Sequence, residues 1–181
     1  MPENIIPKQY EWVAKEGAPK MIVEALKLYG TSEDLSKKSN PTILEWAKEV
    51  GGDVDDIYNS DAIPWCGLFM AVVAKRAGKQ LPDKPLWALN WANFGNPIAI
   101  PEFGDVLTFK RSQGGHVALY IGEDAAAYHV LGGNQADKVC FTRIGKERLY
   151  KARRPIYSTA QPSNVRRIYL SQIGAISLNE K

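Results

Sequence analysis

From Gly104 onward the hydrophobic pattern of this chain changes period, and that change limits what it can fold into more than any other feature. Before it, Trp12, Val13, Met21, Ile22, Ala25, Leu26 and Tyr29 recur at three- and four-residue spacing, interrupted by Gly17-Ala18-Pro19 and stopped by Gly30, as helices do. After it, DVLTFK (105–110), HVALYI (116–121), AYHVL (127–131), KVCFTR (138–143) and LYKAR (149–153) are short, rich in β-branched and aromatic residues, and separated by Gly-rich turns. Helices first and a strand meander second predict an α+β domain with an antiparallel sheet of about five strands.

Between these halves lie further signals. Thr31 to Asn40 is polar and predicts a loop, and Asn40-Pro41 opens a helix with Asn as cap and Pro in the first turn. That helix ends at Gly51-Gly52, and Asp53 to Asp61 is expected to be an acidic, turn-prone linker. Trp65 to Ala74, closed by Gly78, is apolar on nearly every side and predicts a buried central helix. A short helix is expected over Trp87 to Asn93.

With 181 residues and near-average apolar content, the chain is long enough for an unassisted core. The 23 Lys+Arg against 20 Asp+Glu form no dense basic stripe, so nucleic acid is not an expected partner. Cys66 and Cys140 are too few for a disulfide scaffold, and with His116 and His129 they show no zinc-like spacing, so neither a metal nor another cofactor is expected. No stretch is long enough to span a bilayer, and the N-terminus shows no signal peptide. Synthesis in a cytoplasm and action as a monomer are the corresponding expectations.

Three polar positions stand out. Cys66 sits where the central helix begins, and free N–H groups and the helix dipole there favour the thiolate that attacks a carbonyl. A free cysteine also commonly just fills a core. His116 opens a strand directly after Gly114-Gly115, with Ala118 leaving room beside its ring; the plain alternative is a solvated strand-end histidine. Strand alternation puts His116, Ala118 and Tyr120 on one face. A cysteine nucleophile needs a base, and the base needs a third group to hold its tautomer. Asn134 and Gln135 end the following strand, where an amide oxygen can serve; Gly-Gly-Asn is equally ordinary turn chemistry. His129 lies inside its strand and is the weaker base, and Cys140 is a packing residue.

The blocks DAIPWCGLF (61–69), GDVL (104–107), GHVALYIG (115–122) and LGGNQ (131–135) resemble the papain-like cell-wall cysteine hydrolases, and among them the CHAP-like and NlpC-like group of bacteriophage lysins and bacterial autolysins. The likeness runs from about Met21 to Pro155. It implies a papain-like fold with a catalytic domain over 1–155 and an extension over 156–181 to which nothing is transferred. It further implies Cys66 as nucleophile, His116 as base and then acid, and Asn134 as orienting residue, with Gln135 in reserve. The substrate class that follows is an amide bond in the stem peptide of peptidoglycan, and the action is on the cell wall after release or delivery. Gly67-Leu68 departs from the pattern, which has small-polar residues or Ala there.

Trp65 is a candidate groove residue, and Trp87 and Trp91, four apart on one expected helix, are candidates for stacking on sugars; Gln135 is also placed on the substrate side. Three other readings stay open: a toxin of the same chemistry with an immunity partner, a non-catalytic wall-binding or tail structural module, and a cytosolic amidase or acyltransferase on the same fold.

Overall fold

A computed structural model describes residues 5–34, 36 and 38–180, so the start of the N-terminal stretch and part of the 31–40 loop lie outside it. Among the described residues four α-helices come first: α1 (Lys20–Lys27), α2 (Pro41–Val50), α3 (Asp53–Ile57) and α4 (Cys66–Arg76). Seven strands follow: β1 (Asn96–Ile98), β2 (Val106–Lys110), β3 (Gly115–Glu123), β4 (Ala127–Gln135), β5 (Lys138–Gly145), β6 (Leu149–Arg154) and β7 (Ile176–Ser177). They form one sheet in the order β1-β6-β2-β3-β4-β5-β7, antiparallel throughout except for β7, which runs parallel to β5. The chain is α+β, helices before sheet.

Local chemistry accounts for the elements that carry the site. Asn40 caps α2 by accepting from the Thr42 amide (2.9 Å), with Pro41 in the first turn, and the helix stops at Gly51. In α4 every residue from Cys66 to Ala74 is buried, because α1 and α2 pack on one side of it and β3 and β4 on the other. Burial of each large side chain there contributes roughly 1.5–3 kcal/mol. The β2–β5 meander also buries both faces. Val106, Val117, Leu119 and Leu131 face the helices, whereas Leu107, Phe109, Ala118, Tyr120 and Val130 form a second cluster.

Several expectations are corrected. The acidic linker begins with a helical turn, α3, which buries Val54 in the core. Ala88–Asn93 is a 3-10 helix and not an α-helix, so the four-residue spacing of Trp87 and Trp91 does not put them on one face. The sheet has seven strands because short edge segments, β1 and β7, add to the five in the meander; two or three residues leave no readable alternation.

The segment after Pro155 lies against the sheet. Its backbone bonds both ways with Glu123 at Ile168 and Leu170, both at 2.8 Å, and β7 pairs beside Arg143 and Ile144. Arg167 and Lys146 both pair with the buried Glu123 carboxylate. Burial opposes ionisation of that carboxylate, but those two cations and the Tyr120 hydroxyl outweigh it and hold its pKa at about 2.

Candidate active site

Cys66 is the first residue of α4, where the backbone amides of Val117 on β3, of Gly67 and of Cys66 itself favour its thiolate. The helix start thus abuts the strand one residue beyond His116. Phe69 and Trp65 bring α4 this close because β4 opposes them with Gly133, where a Cβ would lie 2.5 Å from Phe69 Cβ. Burial raises the thiol pKa, while the three amides and the Arg111 charge work against it.

His116 Nε2 lies 2.9 Å from Gln135 Oε1. The Gln135 NH2 donates to the Cys140 carbonyl, so Oε1 is the atom turned toward the imidazole and Nε2–H is the donor. The tautomer is thereby set, and Nδ1 is the nitrogen available to take a proton. Burial lowers the His116 pKa to about 4.

Asn134 does not occupy the orienting position. A β-bulge interrupts the β4–β5 ladder between Gly132 and Gln135, and Asn134 takes a left-handed φ of 53°. The bulge turns Gln135 toward His116 and Asn134 toward the start of α4. There its amide sits between Glu33 and Trp65, with nitrogen toward the Glu33 carboxylate (3.2 Å) and oxygen toward the Trp65 N–H (3.3 Å). Gln135 itself is buried, so it is not a substrate-side residue.

The tryptophans separate in the same way. Trp65 is fully buried and donates to Glu33 Oε1 (2.7 Å); Trp91 is fully buried and donates to the Pro85 carbonyl (2.9 Å). Neither lines the cleft beside Trp87. Trp87 is 68% exposed and stands at one side of a cleft of about 580 Å3 lined by Val54, Ile57, Ile63, Pro64 and Leu86. The lining ends at Pro64, two residues before Cys66, and includes neither Cys66 nor His116; beside it, a Cβ on Gly67 would lie 2.5 Å from the Pro85 and Leu86 carbonyls. Only glycine admits that approach, which accounts for the departure at position 67.

His129 belongs to a separate, fully buried network. Tyr10 Oη–H donates to its Nδ1 (2.7 Å), and its Nε2–H donates to Asp124 (2.7 Å), which also pairs with Arg143 (2.8 Å). These bonds join the N-terminal 3-10 helix to β4 and β5, a structural task. Arg111 and Arg148, whose charges act on His116, were not singled out by sequence. The register signal for Arg111 was present, since hairpin β2–β3 pairs its neighbour Lys110 with Gly115, beside His116.

Among the described residues no group of three or more His, Cys, Asp or Glu is placed to hold a metal ion, and no helix is long and apolar enough to cross a membrane. No family model matches the chain, and no curated protein matches its sequence.

Proposed function

We propose that this protein is a papain-like cysteine hydrolase that cleaves an amide bond in the stem peptide of peptidoglycan. The observation that carries the reading is the junction of α4 and β3. The amides of Cys66, Gly67 and Val117 favour the thiolate of a cysteine at a helix start, and Val117 directly follows a histidine whose tautomer an amide side chain holds.

The chemistry follows from those groups. His116 Nδ1 accepts the Cys66 proton, and the thiolate adds to the amide carbonyl carbon. Negative charge collects on the carbonyl oxygen, where the Cys66 backbone N–H is the natural donor. The imidazolium gives its proton to the nitrogen as the C–N bond breaks, leaving a thioester on Cys66 and a free amine. Water, deprotonated by His116, then adds to the thioester and releases the acid. Gln135 accepts from Nε2–H throughout. The cleft beside Pro64 and Trp87 supplies an apolar wall for substrate, with Trp87 free to stack on a sugar ring. A phage lysin is the role that best suits the resemblance, and a delivered toxin would use the same steps with an immunity partner.

The test is Cys66→Ala on purified sacculi. We expect clearing to fall by several orders of magnitude with an unchanged circular dichroism spectrum. Mass spectrometry of the wild-type digest identifies the bond cut. Equal clearing by variant and wild type would overturn the reading.

A second reading, a non-catalytic wall-binding module, draws on the depth of the pair: Cys66 is 4% exposed and His116 is 1% exposed. Wall binding without any digestion product would favour it.

A further inference from the structure

Residues 178–180 are turned the wrong way for ordinary hydropathy. Leu178 is 90% exposed, whereas Glu180 is 1% exposed. Burying a carboxylate is costly without a partner, and Glu180 has a specific one: Arg148 grips it through both oxygens, at 2.7 and 2.8 Å. The backbone at this point is fixed as well, because the Ala136 N–H donates to the Glu180 carbonyl (2.9 Å) and Arg148 also donates to the Ser177 carbonyl (3.1 Å). Asn179 accepts from Arg111 (3.4 Å), whose Nε is buried with no hydrogen-bond partner among the described residues. This cradle adjoins His116, because Ala136 directly follows Gln135, whose Oε1 lies 2.9 Å from His116 Nε2. The Glu180 and His116 charges act on each other, and Arg111 acts on both His116 and the Cys66 sulfur.

We propose that Arg148, Arg111 and the Ala136 N–H beside His116 form a carboxylate-binding subsite, that Glu180 occupies it as an internal ligand, and that an acidic peptide binds there by displacing residues 176–180. The inference rests on the hydrolase reading for its substrate class, since stem peptides carry free carboxylates. A bidentate arginine recognises the planar anion, and the backbone N–H adds a donor for the adjoining peptide carbonyl. While the internal ligand is seated, the sulfur and the imidazole stay shut away from water; once a substrate takes its place, they face the bond to be cut. The second strand register at this end is short, with β7 holding two residues against β5, so release breaks little of the sheet.

The experiment uses the full chain with Glu180→Gln, which keeps shape and removes charge. The probe is the synthetic peptide acetyl-Ser-Leu-Asn-Glu-amide, and the control is the same peptide ending in Gln. Two quantities are read: calorimetric binding of each peptide, and the rate of Cys66 alkylation by iodoacetamide with Cys140 as the internal reference. We expect Glu180→Gln to alkylate at Cys66 about tenfold faster than wild type and to bind the Glu peptide about tenfold more tightly than the Gln peptide. Adding Arg148→Gln removes that preference while alkylation stays fast; should that variant fail to fold, Arg111→Gln in the β2–β3 turn provides the second test by lowering Glu-peptide affinity. Unchanged alkylation together with no preference for the Glu peptide overturns the proposal, as does a preference that survives both arginine changes. Neither readout needs turnover. A Glu180→Gln protein that binds the Glu peptide yet leaves sacculi intact would refute the hydrolase reading and leave the subsite standing.

Discussion

The imidazole of His116 on β3 and the amide of Gln135 at the end of β4 meet at 2.9 Å, across a bulge that turns Asn134 to the opposite side of its strand. The pairing assigns the two adjacent amides different work. Gln135 fixes the histidine tautomer, whereas Asn134 links the Trp65 backbone to Glu33 ahead of α4. Gln135→Ala should therefore lower kcat on sacculi by about 10–100-fold with little change in KM, and shift the acid limb of the rate profile, as loss of an orienting acceptor does. Gln135→Glu should restore much of the rate by restoring an acceptor. Asn134→Ala should chiefly lower the melting temperature. The opposite assignment, with kcat lost at Asn134 and stability at Gln135, would show that the bulge is misread.

Two glycines set how close α4 comes to its neighbours. A methyl at Gly67 meets the carbonyls of Pro85 and Leu86 at 2.5 Å, and backbone cannot step aside as a side chain can. Gly67→Ala should cost about 1–3 kcal/mol, a drop of several degrees in Tm, and should slow turnover because the residue adjoins Cys66. Gly133→Ala, against Phe69 and Trp65, should cost a similar amount. Urea titrations of both variants measure this directly, and wild-type midpoints would contradict the packing described.

The two tryptophans at 87 and 91 offer a clean separation of binding from folding. Trp91 is fully buried with its indole N–H on the Pro85 carbonyl, so Trp91→Ala should cost about 3–5 kcal/mol. Trp87 is mostly exposed on the cleft, so Trp87→Ala should leave Tm within about 2 °C of wild type and raise KM severalfold. A large fall in Tm for Trp87→Ala would make it a packing residue.

Much of this was readable from the letters, and the failures have physical causes. The five strands of the meander, the Asn40 cap and the buried helix beginning at Cys66 each followed from a period, a cap residue or a run of apolar side chains. What escaped depended on contacts distant in sequence. Asn134 and Gln135 are indistinguishable as amides next to a turn, and only the bulge decides which one reaches His116. Trp87 and Trp91 share a face in an α-helix but not in a 3-10 helix, and nothing in ALNWAN selects between the two. Arg148 and Glu180 are 32 positions apart, each an unremarkable surface type, and only folding puts them beside the histidine.

Acid should unfold the protein in two stages, and the signs identify the groups. His116 is held neutral by burial, with its pKa lowered from 6.5 to about 4, and burial lowers His129 as well. A histidine whose folded pKa lies below its unfolded one binds fewer protons in the fold, so its contribution is complete above pH 6.5 and is lost as pH falls toward 4. For His116 that loss is about 3 kcal/mol. Asp124 is a carboxylate with the same sign at lower pH. Burial would raise it, but the Ala126 and Ala127 amides, His129 and Arg143 outweigh burial and bring it to about 2, so its contribution is complete above pH 4 and disappears toward pH 2. Glu123, also at about 2, behaves alike. Melting temperature should thus be flat above pH 7, decline from 6.5 to 4, and decline again from 4 to 2. His116→Gln should reduce the upper stage to the part His129 contributes and leave the lower one, while Asp124→Asn should reduce the lower stage at the cost of a lower Tm at neutral pH. Thermal scans across pH 2–8 on the three proteins decide the matter: an upper stage of undiminished slope in His116→Gln would mean that the imidazole titrates freely and is not enclosed as described.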